Sequence, residues 1–94
     1  MRMRGAASRV DQNHKRIVAD LRKAGILVLD LSTLGKGAPD IACAHAGLIY
    51  FMEIKNPKRK YSLTNEQLYF HLTWKGYIHV IESVDDALRA MGLK

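Results

Sequence analysis

Residues 41–55, IACAHAGLIYFMEIK, decide how this chain folds. Two β-rich runs, IACA (41–44) and LIYFMEIK (48–55), flank HAG, whose Gly47 suits a tight reversal, so the stretch is predicted to form a hairpin. Side chains alternate faces along a strand. Met52 and Ile54 therefore point one way, and Glu53 and Lys55 the other. Two opposite charges then share one face of an otherwise apolar strand. A cross-strand ion pair, or a charge pair where the strand frays, is the plain account of such a Glu-x-Lys.

Working outward, the flanking segments alternate between helical and strand signals. Val10, Ile17, Val18, Leu21 and Ala24 recur at three- and four-residue steps, which predicts an amphipathic helix that Gly25 ends. ILVLDL (26–31) reads as a short strand, and STLGKGAPD, with Gly35, Gly37 and Pro39, as a loop. After the hairpin, NPKRKYS breaks regular structure at Pro57. LTNEQLYFHLTWKG then resumes helical periodicity through Leu68, Leu72 and Trp74, and Gly76 closes that helix. YIHVIES (77–83) is predicted to be a strand, and SVDDALRAMG opens on a Ser-x-x-Asp capping pattern and forms a last short helix. The order is α-β-β-β-α-β-α. It implies an α/β fold, a mixed sheet with helices packed on its faces, and excludes a bundle or a sandwich.

The 94 residues suit one domain, expected over 10–94, preceded by a basic, mobile arm at 1–9. Hydrophobic residues at 48% and charged ones at 26% are globular composition and argue against disorder. A net charge of +6 favours polyanionic partners, although solubility alone accounts for many small basic domains. Cys43 is the single cysteine. That leaves no disulfide framework or Cys-based zinc site and fits a reducing cytoplasmic compartment, with Cys43 as core filler. No apolar run approaches the ~18 residues of a membrane span, and MRMRGAASR lacks the apolar centre of a signal peptide.

Asp40 changes the reading of the charged strand. A hairpin turned at His45 to Gly47 folds Asp40 back beside Glu53, so two carboxylates share one spot. Close like charges raise each other's pKa or call for a cation, and a hard divalent ion with oxygen ligands resolves the conflict. Asp, Glu and Lys beside a basic loop match what phosphodiester hydrolysis requires. A metal held by Asp40 and Glu53, with the Ile54 backbone carbonyl, polarises the phosphate and lowers the pKa of a bound water. Lys55 orients that water or stabilises the charge that builds on the phosphorane.

GAPDI, MEIK and LTNEQ, taken in this order and spacing, resemble the PD-(D/E)XK nuclease superfamily and, with the downstream Gln, its VRR-NUC branch. The likeness runs from the first helix through the 76–83 strand. It implies that Asp40 and Glu53 are metal ligands, for Mg²⁺ or Mn²⁺, that Lys55 is the catalytic lysine, and that Gln67 belongs to the site. Thr64 and Gln67 also form a capping box, so Gln67 has a structural role available as well. Many relatives place an acidic residue, often Glu, on the first helix. This chain departs from that pattern, with Asp11 as the stand-in and His14 set at the edge of the core.

Lys36, Lys58, Arg59 and Lys60, with Arg2, Arg4, Arg9, Lys15 and Arg16 near the N-terminus, are candidates for tracking a DNA backbone on both sides of a cut. No base-reading helix or zinc finger is present, so specificity is expected to come from DNA shape. The resemblance implies a Holliday-junction-resolvase-like homodimer, in a phage or bacterial setting, with Tyr69, Phe70 and Trp74 as interface candidates. Two other readings stay open: a non-catalytic DNA-binding module on a nuclease fold, and a flap-cutting or restriction-like nuclease.

Overall fold

The computed structural model describes residues 12–58 and 62–94. The described elements are α1 (Gln12–Lys23), β1 (Leu27–Asp30), β2 (Ile41–His45), β3 (Leu48–Ile54), α2 (Asn65–Thr73), β4 (Ile78–Ile81) and α3 (Val84–Ala90). The element order expected from the sequence is met, with ends that shift by a few residues. Val10 and Asp11, at the predicted start of the first helix, and the arm at 1–9 lie outside the described residues.

α1 buries Ile17, Val18 and Leu21 along one stripe. It stops as Gly25 predicts. Gly25 adopts φ +87°, its N–H donates to the Arg22 carbonyl, and the Ile26 N–H donates to the Leu21 carbonyl at 3.0 Å. These paired bonds satisfy carbonyls that the helix end would otherwise orphan, and the buried Leu21 and Ile26 side chains complete the stop.

The four strands form one mixed sheet in the order β1-β2-β3-β4. β1 runs antiparallel to β2 and β2 to β3, whereas β4 is parallel to β3 after the excursion through α2. The β2–β3 hairpin closes on the two residues Ala46 (φ +53°) and Gly47 (φ +82°), between the pair His45 and Leu48. Two consecutive positive φ values are the mark of a turn whose twist matches that of its strands.

Register divides the sheet into unlike faces. Val28, Ile41, Cys43, Met52, Ile54 and Ile81 share one face and pack with α1 and with Ala87 and Met91 from the α3 end to make the core. Cys43 is core filler, as expected, and burial pushes its thiol up to about 11. Leu27, Leu29, Ile49, Phe51, Glu53 and Val80 fall on the opposite face, toward α2.

That second face is only partly covered. α2 ends at Thr73, earlier than its periodicity predicts, because Trp74 turns to extended backbone (φ −69°, ψ 130°). No α2 residue is buried, and Leu72 stands 76% exposed. The Leu68–Leu72 stripe therefore does not face this chain's core, contrary to what its spacing suggests. Trp74 reaches back instead: it stacks on Phe70 (5.3 Å between centroids) and meets Phe51 of β3 edge-on (5.5 Å). α3 starts on Ser83, whose hydroxyl caps the Asp86 N–H, but Asp86 reaches back one residue further than a standard capping box and binds the Glu82 N–H. Among the described residues no helix is long and apolar enough to cross a membrane.

Candidate functional site

The hairpin brings Asp40 and Glu53 together. The Asp40 N–H donates to the Met52 carbonyl (3.0 Å) and the Asp40 carbonyl accepts from the Leu31 N–H (2.8 Å), so the ladder runs one residue past the start of β2. Asp40 precedes Ile41, the partner of Met52, and so enters the sheet beside Glu53, close enough for its charge and side chain to act on the Glu53 carboxyl. Asp40 Oδ2 accepts the Ile54 N–H at 2.8 Å, which fixes the carboxylate against the end of β3. Ile54 thus meets Asp40 through its N–H and carries its carbonyl, the expected ligand, at the same corner.

Glu53 is 1% exposed. Its Oε2 accepts from Gln67 Nε2 at 2.5 Å, while Oε1 is buried and, among the described residues, receives no donor. The Asp40 carboxylate lies within hydrogen-bonding range of the Glu53 carboxyl, a contact that only a shared proton or a cation makes favourable. Burial first, and then the adjacent Asp40 charge, push the Glu53 carboxyl up to about 8, against the smaller downward pull of Lys55 and Gln67. At neutral pH the metal-free protein therefore holds a proton here. Lys55 Nζ lies 3.8 Å from Glu53 Oε2 and donates to Gln67 Oε1 at 3.1 Å. The Glu53–Lys55 contact is within ion-pair distance, but it pairs charges only when Glu53 is ionised, and it does not account for the second acid beside it.

Gln67 takes both roles open to it. Its N–H donates to Thr64 Oγ1 (3.1 Å) and its Oε1 accepts the Thr64 N–H (2.9 Å), a complete capping box. The same amide then bridges Glu53 and Lys55 through its two ends. Helix start and site are one structure. Gly37, in the loop before Asp40, packs directly on this turn: a Cβ there would overlap the Glu66 carbonyl and lie 2.9 Å from the Gln67 nitrogen.

Two residues that sequence reasoning did not single out also belong here. Asn13 on α1 donates from Nδ2 to the Lys55 carbonyl at 3.0 Å, tying the first helix to the end of the charged strand, and its Oδ1 is buried without a partner. His71, one turn beyond Gln67, has a buried Nε2 without a partner among the described residues, and burial followed by the Lys55 charge lowers its pKa. The i, i+4 spacing from Gln67 is the signal that finds it. His14 is 4% exposed and bonds Asp30 through Nε2 at 3.1 Å. Ser32 holds the other Asp30 oxygen with its N–H (3.0 Å) and hydroxyl (2.6 Å). His14 thus belongs to the core side, as expected.

Of the expected DNA contacts, Arg16 and Lys58 line one groove of about 500 Å³ together with Asn13 and Asn56, but Asp20 and Asp85 line it too, so its wall is of mixed sign. Lys36 is exposed at φ +60° beside Gly37. Asp11, Arg9, Arg59 and Lys60, with Arg2 and Arg4, lie outside the described residues.

The donor set suits a hard divalent cation. A buried carboxylate oxygen that receives no donor among the described residues, next to a second carboxylate and a strand-end carbonyl, is what an oxygen-ligated ion satisfies. Among the described residues no cluster of three His, Cys, Asp or Glu side chains is present, so the protein donors would be Asp40, Glu53 and the Ile54 carbonyl, with water completing the shell. Neither a protein-family model, nor a curated protein, nor a solved structure matches this chain.

Proposed function

We propose that the protein is a Mg²⁺- or Mn²⁺-dependent endonuclease with a PD-(D/E)XK core of the VRR-NUC type, which hydrolyses phosphodiester bonds in branched DNA as a homodimer. One observation carries the reading. Glu53, sealed from solvent and with no donor among the described residues on its Oε1, lies against the second acid, Asp40, and alongside the Lys55 ammonium. A structural ion pair does not require the second acid, and burying it costs free energy that a bound cation returns.

When bound, the metal supplies a Lewis acid and a water of lowered pKa. The chain's own residues do the rest. Asp40 and Glu53 hold their carboxylates on one face of the hairpin, and the Ile54 N–H fixes the aim of Asp40. Gln67 restrains both Glu53 and Lys55. Lys55, with its side chain only 12% exposed, presents a poorly solvated cation to the negative charge that builds on the phosphorane. Arg16 and Lys58, which line one groove, and the exposed Lys36 are the described cations assigned on this reading to follow the backbone away from the cut.

The dimer is supported by the open sheet face. Leu27 (78% exposed), Leu29 (67%) and Ile49 (68%) lie on it, and Leu72 and Tyr69 project from α2 beside it. A face this apolar in a chain of net charge +6 suits another protein surface and not a phosphate backbone. Tyr69 is exposed and free to join such an interface, whereas Phe70 and Trp74 stack on each other and act within the chain. Sedimentation at micromolar concentration should give twice the chain mass, and Ile49→Glu should return it to a single chain; a monomer at those concentrations rules the dimer out.

The nuclease reading is tested on a panel of duplex, flap, fork and four-way junction DNA with Mg²⁺ or Mn²⁺. Cleavage of a branched substrate is expected, with Lys55→Ala at least ~100-fold slower, the scale of losing one preorganised charge at the transition state. No cut in any substrate with either ion would overturn it. Cleavage by Lys55→Ala at the unmutated rate would remove Lys55 from the mechanism.

A further inference from the structure

His71 is placed for a task that neither the capping box nor the paired carboxylates perform. α2 buries no residue, yet His71 Nε2 is buried, so the ring is tucked beneath the helix on the side that faces the sheet. Gln67 stands one turn earlier on the same side and touches Lys55 and Glu53. Among the described residues Nε2 has no hydrogen-bond partner.

The Lys55 ammonium shows the complementary deficit. It has three N–H bonds to place. Among the described residues Gln67 Oε1 takes one at 3.1 Å, and Glu53 Oε2, at 3.8 Å, lies beyond hydrogen-bond reach. With the Lys55 side chain 12% exposed, little solvent is available for the remainder. Among the described residues, a buried acceptor without a donor thus stands within electrostatic range of a largely covered ammonium that lacks acceptors, on the helix side where Gln67 already touches that ammonium. Burial and the Lys55 charge both keep the imidazole neutral, and a neutral ring has one nitrogen free to accept.

We propose that His71 is a positioning residue for Lys55: with the proton on Nδ1, its Nε2 accepts an ammonium N–H as Lys55 turns toward a bound phosphate. Gln67 and His71 then hold two of the three N–H bonds, and the third is aimed at the reacting phosphate oxygen. A lysine held by Gln67 alone swings about one contact. The inference rests on the nuclease reading above.

The test is single-turnover cleavage of a junction substrate in Mg²⁺ at saturating protein, with DNA affinity measured separately in Ca²⁺. His71→Phe keeps the ring shape and removes the acceptor. It is expected to slow cleavage about 10- to 100-fold, the scale of one hydrogen bond to a charged group, with DNA affinity and thermal midpoint unchanged. His71→Gln, whose Oε1 can reach the place of Nε2, should recover most of the rate. His71→Met serves in place of Phe should the Phe protein not fold. Cleavage by the Phe or Met protein at the unmutated rate, or no advantage of Gln over them, would overturn the role of His71 while leaving the nuclease reading intact. If the unmutated protein cuts nothing in the panel, both fall together.

Discussion

Glu53→Gln is expected to lower Mg²⁺-dependent cleavage by at least ~10³-fold and, at the same time, to stabilise the metal-free protein at alkaline pH. The two effects share one cause. Gln mimics the protonated acid: its carbonyl can accept from Gln67 Nε2, as Oε2 does now, and its amide can donate toward Asp40 without adding a second negative charge. It offers a cation only a neutral oxygen. The sign of the pH effect follows from a folded-state pKa near 8, raised by burial and by Asp40 above the ordinary 4.5. Between those values the folded chain binds a proton that the unfolded chain has released. The contribution of Glu53 to the stability of the unmutated, metal-free protein is therefore fully present below the ordinary carboxyl range and is lost as pH rises through about 8, by on the order of a few kcal/mol. Thermal melts in EDTA from pH 5 to pH 9 should show this slope in the unmutated protein and a shallower one in Glu53→Gln. Adding Mg²⁺ at pH 8.5 should restore the unmutated midpoint and leave the variant unmoved. Equal slopes in the two proteins would mean that Glu53 does not hold the buried proton.

Gly37→Ala is the second large effect, and it acts without touching an ionisable group. Gly37 has φ +79°, and an added Cβ overlaps the Glu66 carbonyl group and crowds the Gln67 nitrogen. These are backbone atoms in the first turn of α2 and cannot rotate away. The turn must shift, and Gln67 shifts with it, away from Glu53 and Lys55. Gly35→Ala supplies the comparison, because Gly35 also has positive φ (+69°) but open space around its Cβ. Each substitution bears the left-handed backbone cost of about 1 kcal/mol, whereas Gly37→Ala should lose about 2 kcal/mol more in denaturant titrations and at least ~10-fold in cleavage. Matching losses for the two variants would show that the loop does not brace α2.

The hairpin, the sheet and the carboxylate pair were legible because they rest on short-range rules. HAG between two apolar runs fixes the turn, and strand alternation then puts Glu53 and Lys55 on one face and Met52 and Ile54 in the core. Asp40 follows from counting back across that turn. Gln67 was legible twice, as a cap and as part of a motif. Asn13 was not, because its partner is the carbonyl of a residue 42 positions away and carries no side-chain signature. His71 was hidden by the same helical periodicity that located α2: Leu68 and Leu72 claim the apolar stripe in sequence, yet both are exposed. Periodicity reports that a helix has an apolar side, but not which surface covers it. The mixed sign of the groove lined by Arg16 and Lys58 was equally out of reach, since Asp20 and Asp85 come from separate helices.

One amide group joins the opening turn of α2 to the corner where Glu53 and Lys55 meet. A helix none of whose residues is fully buried can fray while the sheet beneath it stays intact, and each fraying event would release the acid and the ammonium together. On the nuclease reading, the fraction of molecules able to cut would then follow a local equilibrium over the nine residues of α2, distinct from the unfolding of the sheet.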